Sequence, residues 1–390
     1  MNYDGLVKDT HVNACIECGK CTANCPVAQH NPDFSPRLLL SLFLGNNPES
    51  VIRDERQWSC LTCGQCRVRC PMDVRYTEFT RAVRNEAHHL NSKPQCAHGG
   101  ALQSLMKIMT SDKLEQQRMD WIGSDVDVAD KGDTLYFVGC SPYFDAFFSD
   151  LEIDTLAIAR ASIRILNRIG ITPVVLENER CCGHDLLWAG DVEHYRKLAK
   201  ENIALIKKIK PERIVFSCAE CYRTFKLDYP GIAGDLGIEM KHITEIVMEN
   251  EPEFKHPVFQ DSSDGAVVTY QDPCRLGRHL GVYDAPRQLL SRIPGLEFRE
   301  MRRKRENAVC CGTNSWINCD RTSRLIQDSR LRMAAETGAA RLLTACPKCY
   351  IHFTCALKGG SRAEAADDET GKAVNIKVED LALLLNSAME

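Results

Sequence analysis

Several things are missing from this 390-residue chain, and each absence removes a class of protein. The opening, MNYDGLVKDTHVNAC, has neither the basic cluster nor the apolar run of an export signal. The most apolar early stretch, Leu38 to Leu44, is far too short to cross a bilayer. Together these predict a cytoplasmic chain with no direct membrane insertion. Positive charge is not in excess: 49 Lys and Arg against 53 Asp and Glu leave −4, which gives no reason to expect nucleic acid. The one basic knot, Arg302-Arg303-Lys304-Arg305, reads as a solvated turn, with docking of an anionic ligand or partner as its other use. No G-x-G-x-x-G opens a helix, and GKCTAN (19–24) is not a phosphate loop. No flavin or nucleotide is therefore expected on this chain.

What the chain has in abundance is cysteine, 21 residues of it. In a small secreted protein that number would mean disulfides. Here 44 % hydrophobic and 26 % charged residues over two or three domains' length describe a large globular protein with no export signal. In a reducing compartment such thiols hold metal.

Eight of them stand in two near-copies of C-x2-C-x2-C-x3-C-P: Cys15, Cys18, Cys21, Cys25 with Pro26, and Cys60, Cys63, Cys66, Cys70 with Pro71. Three thiolates at steps of three wrap one loop around the corner of a cubane, and the fourth, before the proline, ligates the other cluster. Cys15, Cys18, Cys21 and Cys70 are thereby assigned to one cubane [4Fe–4S] cluster. Cys60, Cys63, Cys66 and Cys25 are assigned to the second. Structural zinc takes four ligands as two separated knuckles and has little use for the third cysteine of each run. Between the motifs lie 34 residues, and SPRLLLSLFLGN there reads as a helix capped by Ser35, begun at Pro36 and stopped at Gly45. A second helix is expected in RYTEFTRAVRNEAHHL after Pro71.

Beyond residue 132 the cysteines follow a different pattern, and it occurs twice. Cys140, Cys181-Cys182-Gly183, then Cys218 and Cys221 are answered by Cys274, Cys310-Cys311-Gly312, then Cys346 and Cys349. Cys274 lies 134 residues beyond Cys140, Cys310 lies 129 beyond Cys181, and Cys346 lies 128 beyond Cys218. A duplicated module explains this. Short β-rich runs (135–138, 172–176 and 214–216; 267–270 and 341–343) alternate with amphipathic helices, notably 191–210 and one capped by Asp320 that runs to about Gly338. Two α/β units follow, with most thiols emerging past strand ends, where open parallel sheets carry their ligands. Each copy has five cysteines, one more than a cubane or a zinc site uses. Adjacent cysteines strain to chelate one ion but can touch neighbouring irons of an irregular cluster.

On these residues the chain resembles the CCG-domain family of heterodisulfide reductase, with an N-terminal layout similar to that enzyme's helical ferredoxin subunit and to succinate dehydrogenase iron–sulfur subunits. The resemblance implies an α+β multi-domain fold: an N-terminal all-helical two-cluster ferredoxin domain (1–95), a helical linker (96–132), and two α/β CCG repeats (133–255 and 256–390). It implies that each five-cysteine set (Cys140, Cys181, Cys182, Cys218, Cys221; Cys274, Cys310, Cys311, Cys346, Cys349) holds one noncubane [4Fe–4S] cluster. It further implies disulfide or thiol redox chemistry at those clusters, fed by a flavin-containing heterodisulfide reductase A-like subunit or by a cytochrome b. The alternative is an electron-transfer subunit of a larger flavin-dependent complex, as in class II benzoyl-CoA reductase, with the substrate chemistry on a further catalytic subunit. Where the family often has a glycine-rich turn, CCGTNSWINC places Thr313, Asn314 and Trp316, which reshape that pocket.

His184 and His279 are weak proton-donor candidates beside the two sets, the bland reading of His184 being a helix-start histidine. Trp188 and Trp316, each a few residues past a CCG, are expected to wall the clusters from water. Cys96 and His98 read as a plain turn, and Cys319 and Cys355 as buried filler. The linker is expected to be helical over ALQSLMKIMTSDKLEQQRMDWI (101–122) and exposed and acidic over GSDVDVADKGD (123–133), bringing the ferredoxin clusters close to the first CCG site.

Overall fold

The computed structural model describes residues 3–45, 47–255, 267–359 and 374–390. The expected join between the repeats, at 255/256, falls at the edge of residues outside this description. Up to residue 133 the chain is helical, with no strand among the described residues. The helix Pro36–Leu44 forms as its sequence predicts: Ser35 Oγ accepts from Leu38 N at 3.2 Å, and the Gly45 N–H closes the last turn on Ser41 O. Its inner face buries Leu39, Leu40 and Phe43, and Phe43 meets Phe79 of the helix Tyr76–His89 edge-to-face at 5.0 Å.

Two parallel sheets follow. The first orders β1 (Thr134–Phe137), β2 (Arg213–Phe216) and β3 (Glu239–His242), with Leu135 opposite Ile214 and Ile214 opposite Met240. The second consists of β4 (Val267–Gln271), β5 (Glu297–Phe298), β6 (Arg341–Thr344) and β7 (Lys377–Asp380) in the order β5-β4-β6-β7. The run β4-β6-β7 repeats β1-β2-β3, so the duplication read from the cysteines is also a duplication of topology. Parallel pairing requires crossovers, and the helices Thr155–Arg168, Val192–Ile209 and Arg321–Ala335 lie on them. The C-terminal helix Leu381–Met389 of the second repeat packs along Thr155–Arg168 of the first, where Arg168 Nη1 donates to Asn386 O at 2.9 Å.

Two local expectations fail. The run 172–176 is no strand. Only Val174 bridges, to Leu135 and Ala129, because Pro173 has no N–H for a ladder. The linker helix stops at Ile108, since Thr110 Oγ1 turns back to Lys107 O and Ser111 Oγ accepts from Lys113 N; farther on, Arg118 is drawn into the core. The acidic segment 123–133 is exposed as expected, but tied down: Val126 is buried, Asp127 N donates to Asn167 Oδ1, and Ala129 N donates to Pro173 O. The basic knot is likewise anchored, with Arg305 N on Asp272 Oδ2 at 2.7 Å and Arg303 O accepting from the buried Arg330.

Candidate metal centres

In each repeat the thiols sit where a parallel sheet presents its ligands. Cys140, Cys218, Cys274 and Cys346 lie within three residues of the ends of β1, β2, β4 and β6, and Cys221 and Cys349 fall in the first turn of the helices after β2 and β6. The CCG pairs enter from a separate loop, whose glycine has a steric cause. Gly183 and Gly312 adopt φ of +81° and +89°, and a Cβ would stand 2.7 Å from Tyr195 Cδ2 in one and 2.6 Å from Ser323 O in the other. The loop in the first repeat is pinned by Asn202, fully buried on the core face of Val192–Ile209: Oδ1 accepts from Arg180 N at 2.7 Å, and Nδ2 donates to the carbonyls of Arg180 and Cys181. Apolar periodicity passed over Asn202, although a polar residue on a buried stripe is itself a signal.

The two N-terminal motifs interlock crosswise. One hollow is lined by Cys15, Cys18, Cys21, Cys66 and Cys70. A second is lined by Cys60, Cys63, Cys66 and Cys25. Backbone N–H groups already point at sulfur, Thr62 N to Cys60 at 3.3 Å and Val74 N to Cys70 at 3.4 Å. Burial holds Cys25, Cys60 and Cys66 above the ordinary thiol value. Cys63 is drawn down to about 5, first by a hydrogen bond from Cys310, then by the guanidiniums of Arg278 and Arg275.

The repeat thiols form one continuous series of electrostatically interacting neighbours. In the first repeat it runs Cys140, Cys181, Cys182, Cys221, Cys218. In the second it runs Cys274, Cys310, Cys311, Cys349, Cys346. Cys218 joins Cys346 across the repeats, and Cys310 joins Cys63 of the ferredoxin module. Thiols so crowded and buried cannot all ionise against one another, so the donor set is chemically suited to a polynuclear iron centre that neutralises it. The first CCG site is therefore not the one next to the ferredoxin thiols, contrary to expectation: Cys63 meets the second. The reason is the segment after Cys274, whose Arg275 and Arg278 donate to the carbonyls of Thr62 and Cys63. The first repeat holds the ferredoxin module elsewhere, through Arg81 on Asp228 at 2.7 Å and Arg84 on Trp188 O at 3.0 Å.

A buried ionic group lies between the two five-thiol sets. Lys348 pairs with Asp185 and, at 2.6 Å, with Glu220; His184 Nδ1 is 2.9 Å from Asp185. His184, Asp185 and Glu220 converge closely enough to hold a cation, but Lys348 already supplies one. His184 is the first residue of the helix His184–Trp188 and accepts from Arg275 Nε at 3.0 Å. His279 Nδ1 accepts from Arg223 Nε at 3.3 Å. Burial first, and neighbouring arginines next for His279, push both imidazoles well below their usual range. Trp188 is fully buried with the guanidiniums of Arg81, Arg223 and Arg275 at 5.1, 4.7 and 4.6 Å. Trp316, also fully buried, stacks on Phe148 at 5.2 Å and packs on His352.

Cys319 corrects the filler reading. It is exposed and, with Cys96 and His98, lines a cleft of ≈ 760 Å³ between the ferredoxin module and the loop before Arg321–Ala335; Cys355 is half-buried. Among the described residues, no helix is long and apolar enough to cross a membrane.

Comparison with known proteins agrees with this architecture. A cysteine-rich (CCG) domain matches twice, at residues 134–226 and 268–354, and a 4Fe-4S dicluster domain matches residues 11–74. The chain belongs to the iron–sulfur proteins that carry a duplicated CCG domain behind a dicluster domain. Within that class it resembles one of the subunits of the dihydromethanophenazine:CoB–CoM heterodisulfide reductase of Methanosarcina barkeri, with 33 % identity over 71 % of this chain. It spans 64 % of that relative's length. It is also 28 % identical, over 66 % of this chain and 34 % of the relative, to the EtfAB:quinone oxidoreductase of Syntrophomonas wolfei. The fold is shared with the crystal structure of a hypothetical protein from Helicobacter pylori, at a TM-score of 0.58 and 12 % identity, covering all of this chain and 75 % of that one.

Proposed function

We propose that the chain is an iron–sulfur electron-transfer subunit of heterodisulfide reductase type. In this reading Cys15, Cys18, Cys21 and Cys70 hold one cubane and Cys60, Cys63, Cys66 and Cys25 the other, while each five-thiol set holds a noncubane [4Fe–4S] cluster. Such centres, when bound, each accept and release one electron. The observation that carries the reading is the unbroken adjacency of the thiol sets, from Cys66, which lines both hollows, through Cys63–Cys310 and Cys346–Cys218 to Cys140. The two five-thiol sets meet, so two one-electron acceptors would stand side by side. That is the number of electrons consumed when a disulfide, with two protons, becomes two thiols. The protein's share is spacing and dryness: Arg84 and Arg275 lock the modules together, and Trp188 and Trp316 fill the space behind the CCG loops.

The donor is a partner subunit, flavin-containing and heterodisulfide reductase A-like, or a cytochrome b. The domains follow the boundaries 1–95, 96–132, 133–255 and 256–390. A second reading makes the same relay a wire to a catalytic subunit in a larger flavin-dependent complex, and the likeness to a quinone oxidoreductase favours it. Anaerobic purification from the native host, with co-purifying subunits identified and iron counted, tests both. About sixteen irons per chain, a new paramagnetic signal on adding a small thiol, and disulfide reduction by the assembly support the first. Full iron with no thiol response, and a separate enzyme in the assembly, support the second. Zinc in place of iron overturns both.

A further inference from the structure

Arg275 sits where the three thiol-bearing units meet and is 2 % exposed. Its Nη1 donates to Thr62 O at 2.5 Å and its Nη2 to Thr62 Oγ1 at 2.7 Å, in the loop between Cys60 and Cys63. The same Nη2 reaches Asn314 Oδ1 at 3.0 Å in the second repeat, and Nε reaches His184 Nε2 at 3.0 Å in the first. Nη1 also lies 3.1 Å from His279 Nε2 and 3.9 Å from Cys274 Sγ. None of these partners is a carboxylate. A buried guanidinium with no anion is expensive, so the negative charge that compensates it must come from what lies around it. Glu220 is in range but already pairs with Lys348; the other anions are the sulfurs of Cys274, Cys310 and Cys63. Arg278, three residues on, repeats the pattern: Nε to Cys63 O at 2.6 Å, Nη1 to Ala308 O at 2.5 Å and Glu306 O at 3.3 Å, and Nη2 unpartnered. At the outer hollow the cations differ. Lys20 and Arg37 line it; Lys20 is exposed and Arg37 is salt-bridged to Glu17 and 41 % exposed, so solvent screens both.

We propose that Arg275, assisted by Arg278, is an electrostatic positioning residue that makes the two centres meeting at the Cys63–Cys310 junction easier to reduce than the one at Cys15, Cys18 and Cys21. The proposal rests on the reading above, in which these thiols hold clusters. With both centres bound, an electron passed between them would oxidise one and reduce the other, with no bond or proton exchanged. Each added electron makes a thiolate-ligated centre more negative, and a fixed, unpaired, desolvated positive charge beside it stabilises the reduced form. A guanidinium stays charged at any working pH, so this bias does not depend on titration.

The test is a paramagnetic-resonance redox titration of the anaerobically purified full chain, with iron counted per chain. In R275Q with wild-type iron, the junction centres should show a roughly tenfold lower reduced-to-oxidised ratio at fixed potential, about 59 mV for one electron. The outer centre should stay unmoved. R275K, which keeps the charge but not the fork, should restore most of the midpoint. Unchanged midpoints in R275Q at full iron overturn the proposal, as does an R275K shift as large as that of R275Q. If R275Q loses iron, R278Q decides: a downward shift of the same centres supports the proposal, and no shift overturns it. Wild-type protein without these clusters would instead overturn the underlying functional reading, which the iron count reveals separately.

Discussion

Arg84 gives the sharpest test of how the ferredoxin module is held. It is fully buried, and its guanidinium serves four carbonyls: Trp188 O at 3.0 Å from Nη1, and Gln57, Trp58 and Cys60 at 2.9, 3.1 and 2.8 Å from Nη2. Burial drags its pKa down to about 10, so it still carries its proton at neutral pH. Arg84→Met keeps the stem and removes the donors. Each hydrogen bond from a charged donor is worth about 1.5–3 kcal/mol net, but removing the buried charge returns several kcal/mol of desolvation. Each carbonyl left without a donor costs about 1–3 kcal/mol, so the balance is a net loss of about 2–4 kcal/mol. Arg81→Ala, on the same helix but with its side chain 28 % exposed and paired to Asp228, should cost only about 1 kcal/mol. The assay is anaerobic urea denaturation followed by cluster absorbance, with iron counted after gel filtration. Because Cys60 O is one of the four acceptors, iron should leave the Cys60–Cys66 set before the repeats. A loss below about 1 kcal/mol in Arg84→Met, with iron intact, would refute the idea that this residue clamps the modules.

Three further outcomes are expected. Cys70→Ala should remove about four irons from the centre at Cys15, Cys18 and Cys21 and spare that at Cys60, Cys63 and Cys66; Cys25→Ala should do the reverse, and resonance spectra of the two variants separate crosswise from local ligation. Gly183→Ala combines a left-handed φ with a 2.7 Å clash on Tyr195, and should cost about 2 kcal/mol or more while emptying the first repeat ahead of the second, read by iron count and denaturation midpoint. His242 is buried at the end of β3 and held by burial down to about 4, against an unfolded value near 6.5. The unfolded chain therefore binds its proton first as pH falls. The stability His242 contributes is present above about pH 6.5 and is lost towards pH 4, so His242→Gln should flatten the decline of the denaturation midpoint between pH 7 and 5.

The cysteine spacing was enough to read the duplicated α/β units and the helical dicluster module, because ligand spacing and strand-loop-helix order are local properties of the chain. The Ser35–Pro36–Gly45 helix and the Asp320 cap were equally local, each cap accepting a backbone N–H within its own first turn. Where local signals compete with long-range packing, the reading failed: Pro173 cancelled a strand that β-branched residues suggested, and Arg118 was drawn to Glu179 and Gly139, beyond a helix that ended at Ile108. The order of the thiol sets was beyond any local reading. Cys63 and Cys310 are 247 residues apart, and what brings them together is a handful of arginine-to-carbonyl contacts, Arg275 and Arg278 on Thr62 and Cys63. The sequence alone determined which residues are ligand candidates and that there are two repeats. Only the tertiary structure decided which repeat's thiols meet those of the ferredoxin module, because that choice is made by buried charges that find their partners only after the chain has folded.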